Sequence, residues 1–153
     1  MKPFPHICLV EPEIPQNTGA IARLAAATTC TLHLVKPLGF SLEDRYMKRA
    51  GLDYWPFLNL KIHENFDAML ASFETAPRMA FFSTKGKQVY WDLPPVDLLV
   101  FGKETAGLAP EYWEKYKDHF ATIPMYHSGV RSLNLANSVS IVVYHQIQIR
   151  VGN

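Results

Sequence analysis

Short apolar runs alternate along this chain with polar stretches carrying Gly and Pro, and the alternation predicts strands and helices in turn. "HICLV" (6–10) and "TLHLV" (31–35) are rich in Ile, Leu and Val and bounded by turn residues, which predicts two strands. Between them "EPEIPQNTG" (11–19) reads as a loop leading into an Ala-rich helix over residues 18–29, with Asn17 or Thr18 available as N-cap and Gly19 easing the turn. "KPLGF" breaks the second strand, and "SLEDRYMKRAGL" (41–52) follows as a short helix, capped by Ser41, acidic early, basic late and stopped by Gly51. Further on, strands are expected at "PFLNLKI" (56–62), "RMAFFST" (78–84), "DLLVFG" (97–102) and "FATIPM" (120–125). Helices are expected at "ENFDAMLASFE" (64–74), "PEYWEKY" (110–116) and within "RSLNLANSVSIVVYHQIQI" (131–149). Several of the strands are apolar throughout, as in a parallel sheet covered on both faces, so the fold class is α/β, in a single domain over 1–153.

The last helix departs from the usual one-sided pattern. Leu135, Val139, Val142, Val143 and Ile147 share no single stripe, so the helix should be buried on most sides, part of it by a second subunit. Asn134, Ser138 and His145 fall along one narrow edge at i, i+4 and i+11. Capping accounts for one polar residue at its start, not for Arg131, Ser132, Asn134 and Asn137 together.

Composition narrows the classes. With 153 residues, 48% hydrophobic and 19% charged, the chain reads as an ordinary globular domain rather than a disordered or fibrous one. A net charge of +1 argues against a strongly basic nucleic-acid binder by totals, although Arg45, Lys48 and Arg49 share one helical face at i, i+3 and i+4. No apolar run approaches the roughly 18–20 residues that span a bilayer, and "MKPFPHICLV" is too short and Pro-broken for a signal peptide, so a cytoplasmic location is expected. Cys8 and Cys30 sit among apolar residues and are expected as buried, reduced thiols, the six histidines as surface or satisfied core residues. No Cys/His spacing suggests a metal site.

In an α/β sheet, ligands bind beyond the carboxyl ends of the strands. Three such loops are rich in polar and Gly residues: "EPEIPQNTGAIAR", "FGKETAGL" and "IPMYHSGVRSLNLAN". The first leads to Arg23, the only charged residue between Glu13 and Lys36, on a helix otherwise apolar enough to be buried. A buried arginine needs an anionic partner or costs several kcal/mol. The "GKET" of the second loop is not a phosphate-binding loop, because Asp97 and Glu104 stand where that motif needs Gly and Ser or Thr. What remains there is Gly102 and Gly107 flanking Glu104, a place where backbone can approach a ligand closely. No GxGxxG fingerprint occurs.

Together "NTGAIAR", "FGKETAGL" and "IPM…RSLNLAN" resemble the three signature motifs of the SPOUT (TrmH-type) RNA 2'-O-methyltransferases. "EPEIPQNTGAIARL", "KPLGF", "RAGLDYW" and "FFSTKG" extend the likeness, over essentially the whole chain, to the small TrmL-type enzymes that methylate the wobble nucleotide of certain tRNAs. The resemblance implies an α/β fold with a C-terminal trefoil knot, an exception to the rule against knots, and a homodimer in which the last helix lies at the contact. It implies S-adenosylmethionine bound by Phe82, Ser83, Thr84, Gly102, Glu104, Leu108, Ile123, Met125, Ser132 and Leu133, and catalysis by Arg23, Ser132 and Asn134. Asn17, Arg23, Lys103 and Arg131 would meet the RNA, and no metal is called for. Many relatives carry Ser at the position of Ala136, so a hydroxyl role there is not carried over. The rival expectations are methylation of ribosomal RNA, a non-catalytic S-adenosylmethionine-binding module, and an RNA-binding protein without catalysis. The last is disfavoured by the low net charge and the absence of an RNP-type aromatic motif.

Overall fold

A computed structural model describes residues 4–43 and 52–152. Its centre is a seven-stranded sheet in the order β3-β2-β1-β6-β4-β7-β5, with every pairing parallel. The strands are β1 (His6–Val10), β2 (Leu32–Val35), β3 (Leu60–His63), β4 (Met79–Phe82), β5 (Gln88–Val89), β6 (Leu98–Phe101) and β7 (Phe120–Thr122). The helices are α1 (Pro15–Thr28), α2 (Phe66–Ala71), α3 (Pro110–Tyr116) and α4 (Leu135–Val151). Period-two alternation divides the core into two layers. Ile7, Leu9, Leu32, Leu34, Leu99 and Phe101 pack with Ile21, Ala22, Val139 and Val142 of α1 and α4 on one face. Cys8, Val10, Val35, Leu98 and Val100 pack with Phe66, Met69, Phe81 and Leu108 on the other.

Several boundaries differ from the pattern reading, each for a local reason. Helix α1 begins at Pro15 rather than residue 18, because proline's missing N–H and fixed φ suit the first helical position; Asn17 and Thr18 therefore lie inside the helix and Ile14 is its N-cap. The expected strand at 56–62 is a 3-10 helix through Leu52–Phe57 followed by β3, and Tyr54 of that helix donates its hydroxyl proton to the Gly19 carbonyl at 3.2 Å. Residues 123–125 leave the sheet after Thr122, and a two-residue strand at 88–89 joins its edge. Helix α3 spans the predicted residues. Most of the expected helix at 41–52, with Arg45, Lys48, Arg49 and Gly51, lies outside the described residues.

Helix α4 is not covered all round in the single chain. It buries Val139, Val142, Val143, Gln146 and Arg150, and leaves Ile141, Tyr144 and Val151 at 37%, 54% and 56% exposure along one stripe. The buried Arg150 donates to the Gln146 carbonyl and side-chain oxygen at 2.9 and 2.7 Å and to the Val96 carbonyl, while Gln146 accepts the Val96 N–H at 3.0 Å. That network ties α4 to the segment entering β6.

On the other face, three histidines form a ladder across the sheet edge. His33 lies opposite Cys8 on β1 and Lys61 on β3, two residues from His6 and His63, so all three side chains share one face on a diagonal. His33 Nε2 is 2.8 Å from His6 Nδ1, and its Nδ1 is 2.9 Å from His63 Nε2. The rings stack at 5.1 and 5.2 Å, with Phe73 packed over His6 and His33. His33 is 1% exposed. Cys8 and Cys30 are buried and free, and burial pushes both thiols up.

Candidate functional site

The segments that follow β1, β4, β6 and β7 wall one cavity of about 1060 Å³ at the carboxyl ends of the strands. This is at the top of the range of about 300–1,000 Å³ usual for small-molecule sites. Phe82 ends β4 and passes into Ser83, Thr84 and Lys85; the turn Gly102–Leu108 follows β6; Thr122, Ile123 and Met125 follow β7; Arg131 to Leu135 lead into α4. Asn17 and Ile14 close the side formed by α1.

The turn after β6 owes its shape to its glycines. Lys103 and Gly107 pair across an antiparallel bridge, with the Gly107 N–H donating to the Lys103 carbonyl at 2.9 Å. Gly107 has φ of 68°, a conformation that glycine adopts without strain. A Cβ on Gly102 would lie 2.3 Å from the Gly107 carbonyl carbon and 2.4 Å from the Leu108 nitrogen, so the chain can double back there only over glycine.

Hydrogen bonds join the three loops. The Glu104 carboxylate accepts the Glu13 and Ile14 backbone N–H groups at 2.8 and 2.9 Å and the Asn17 amide at 3.1 Å. Helix α1 has no acidic residue in its first turn and no side-chain cap, and Glu104 brings a negative charge to that end from across the site. Asn134 donates its amide to Asn17 Oδ1 at 3.0 Å while its own Oδ1 caps α4 by accepting the Asn137 N–H at 3.1 Å. The Lys103 ammonium lies 3.8 Å from the Glu11 carboxylate, so part of its charge is shared within the chain.

The structure thus brings together around one cavity Phe82, Ser83, Thr84, Gly102, Glu104, Leu108, Ile123, Met125, Ser132 and Leu133, along with Asn17, Lys103, Arg131 and Asn134. Arg23 stands apart. It is exposed on α1, against the expectation that its helix would bury it, and it does not line the cavity. Its surroundings include Tyr54, whose hydroxyl burial pushes up in pKa while the Arg23 charge acts in the opposite direction. The sequence reading did not single out Lys85, Thr105 and Trp113, which also line the cavity. Lys85 directly follows "FFST" and Thr105 directly follows Glu104, so both were within reach of the motifs. Trp113 was hidden inside a helical pattern, where it stacks on Phe120 at 3.8 Å between ring centres.

Solved structures that share this fold are SPOUT methyltransferases. AviRb, a SpoU methyltransferase from Streptomyces viridochromogenes solved in complex with AdoMet, shares the fold at a TM-score of 0.81 and 24% identity, over 100% of this chain and 60% of its own. A structure solved in work on 2-OH methylation of C/U34 on tRNA matches with a TM-score of 0.90 and 40% identity over 98% of both chains. The tRNA (cytidine(34)-2'-O)-methyltransferase of Polaromonas sp. (strain JS666 / ATCC BAA-500) is 47% identical over 143 residues, 91% of this chain and 87% of its own. Residues 5–144 match the SpoU rRNA Methylase family, and the chain belongs to it.

Proposed function

We propose that the protein transfers the methyl group of S-adenosylmethionine to the ribose 2'-hydroxyl of the wobble nucleotide, cytidine or uridine, in tRNA anticodons in the cytoplasm. The observation that carries this reading is the convergence of three motif loops on one cavity, joined through Glu104, Asn17 and Asn134. Relatives of this length and similarity that bear the tRNA name support it.

The residues present fit the cofactor. Gly102 gives a cradle that a Cβ would fill, Leu108, Ile123 and Leu133 offer apolar surface for an adenine, and Ser83, Thr84 and Ser132 offer hydroxyls for its polar parts. S-adenosylmethionine, when bound, supplies a methyl already activated by its sulfonium. The chain has to hold the ribose hydroxyl in line with that methyl, a positioning effect worth up to about 7–11 kcal/mol in ideal cases. Ser132 and Asn134 face the same cavity and take that task. The planar guanidinium of Arg23, with its fork of N–H donors, is suited to gripping the neighbouring RNA phosphate, with that phosphate or a water as proton acceptor. Arg131 and Lys103 supply further positive charge at the rim.

Since Arg23 does not line the cavity of its own chain, this reading assigns it to the cavity of a second protomer. The exposed stripe Ile141, Tyr144 and Val151 on α4 supports a homodimer contact. The trefoil knot belongs to the same reading, supported by β7 lying between the earlier strands β4 and β5.

Incubation with radiolabelled S-adenosylmethionine and total tRNA, followed by nucleoside mapping, tests the reaction. Label on the wobble ribose is expected, and label on a base, or none, rejects it. The family's ribosomal description favours a second substrate, tested by the same assay on ribosomal RNA. For the dimer, inactive Arg23→Ala and Asn134→Ala chains should regain activity when mixed, because each mixed dimer holds one intact site; no recovery would reject the shared site.

A further inference from the structure

Two carboxylates cross in opposite directions between the loop after β1 and the turn after β6. Glu104 reaches from the turn to the Glu13 and Ile14 N–H groups. In return Glu13 accepts the Thr105 backbone N–H at 3.0 Å and the Thr105 hydroxyl at 2.8 Å. Thr105 lines the cavity and Glu13 does not. The Thr105 N–H, and then its hydroxyl, hold the Glu13 carboxyl below the usual carboxylate range. Both bonds are therefore made by an ionised acceptor at neutral pH, which strengthens them.

The loop bearing Glu13 is fixed from behind. Gly39 donates its N–H to the Pro12 carbonyl at 2.9 Å, and a Cβ on Gly39 would come within 2.8 Å of Glu13 Cα. By contrast Thr105 and Ala106, at the tip of the turn, are exposed. A fixed carboxylate thus grips an exposed turn from outside the cavity that the turn shapes.

We infer that Glu13 is a positioning residue for the cofactor, acting through Thr105 to hold the Lys103–Gly107 turn in its binding-competent shape. The inference rests on the reading of the cavity as the S-adenosylmethionine site. A turn released from Glu13 samples other shapes, and apparent affinity falls by the fraction that remains competent. Once the cofactor is bound the turn is the same in both proteins. The cost therefore falls on affinity and KM for S-adenosylmethionine, and kcat is spared.

The test uses the full chain, with S-adenosylmethionine binding followed by calorimetry and methyl transfer followed on tRNA. Glu13→Ala should raise Kd and KM for S-adenosylmethionine about tenfold while kcat at saturation stays within about twofold. Glu13→Gln, whose amide oxygen still accepts both bonds, should recover most of that affinity. Glu13→Ala and Thr105→Val should be less than additive when combined, since each removes the same hydroxyl contact. A Glu13→Ala protein that binds like the wild type, or strict additivity with Thr105→Val, would overturn the inference alone. Failure of the wild-type protein to bind S-adenosylmethionine would overturn the cofactor reading and the inference with it.

Discussion

The carboxylate bridge at the cavity mouth and the histidine ladder under α2 are both hydrogen-bonded chains of titratable groups, and they are built on opposite terms. The bridge joins loops, uses carboxylate oxygens on backbone N–H groups and stays near solvent. The ladder joins strands, uses neutral rings on one another and is packed under Phe73. Desolvation, first of all, drives the His33 pKa down to about 3, with His6, His63 and Lys61 adding repulsion in that order. A network that must adapt to a ligand can keep its charges only where water remains, while one that holds strands in register can exclude water only by giving its charges up. Changes in the ladder should therefore be read in stability and changes in the bridge in binding.

The largest effect is expected at the centre of the ladder. His33→Ala removes a ring that is 1% exposed and orphans facing nitrogens on His6 and His63, for a loss of about 2–4 kcal/mol in denaturant unfolding. Affinity for S-adenosylmethionine should not change; a large binding defect would break the division between the two networks. Gly102→Ala is its counterpart at the mouth. Its new methyl meets turn backbone at 2.3 Å, which costs about 1–3 kcal/mol and should weaken cofactor binding at least tenfold. Binding by Gly102→Ala equal to that of the wild type would remove the turn from the site.

Acid separates the networks by a smaller step. Because the folded His33 pKa is about 3 and its unfolded value is near 6.5, the unfolded chain binds the extra proton between those values. The contribution of His33 is therefore complete above pH 6.5 and is lost as pH falls toward 3, at up to about 1.4 kcal/mol per pH unit. His6 and His63 are also held low, first by burial and then by Lys61, with Asp97 opposing at His6, so they add in the same direction. Unfolding curves between pH 4 and 6 should be steeper in pH for the wild type than for His33→Leu by about one proton; equal slopes would show that the ladder is not neutral in the folded state.

The two networks were unequally legible in the sequence. The bridge lies inside motifs whose residue types and spacing are read directly, so the loops that form it are legible, and the apolar runs at 6–10, 31–35 and 97–102 read as strands because periodicity is local. Which oxygen meets which N–H is not local. The resemblance assigns Glu104 to the cofactor, and the structure adds that its carboxylate accepts from Glu13, Ile14 and Asn17. His6, His33 and His63 are 27 and 30 residues apart, and only the register of β1, β2 and β3 brings them into line. Their reading as satisfied core residues holds for His33, but nothing in the spacing announces a ladder. Arg23 shows the same limit: its helix is apolar by composition, but the face it occupies depends on what packs there.

The smallest expected effect bears on the residue where both kinds of network meet. Asn134 caps α4 through its oxygen, a fold-holding task, and links to Asn17 through its amide nitrogen, a site-holding task. An aspartate caps about as well as an asparagine, while alanine in a cap costs about 1 kcal/mol. Asn134→Asp should therefore keep the unfolding free energy that Asn134→Ala loses. It cannot, however, donate to Asn17 Oδ1, and Asn17 is not free to turn its amide over, because that nitrogen is already given to Glu104 at 3.1 Å. The aspartate places two acceptors face to face, and methyl transfer should fall in Asn134→Asp as far as in Asn134→Ala or further. If stability and turnover instead rise and fall together across the two variants, cap and link are one function, and the division between holding the fold and holding the site does not extend to this residue.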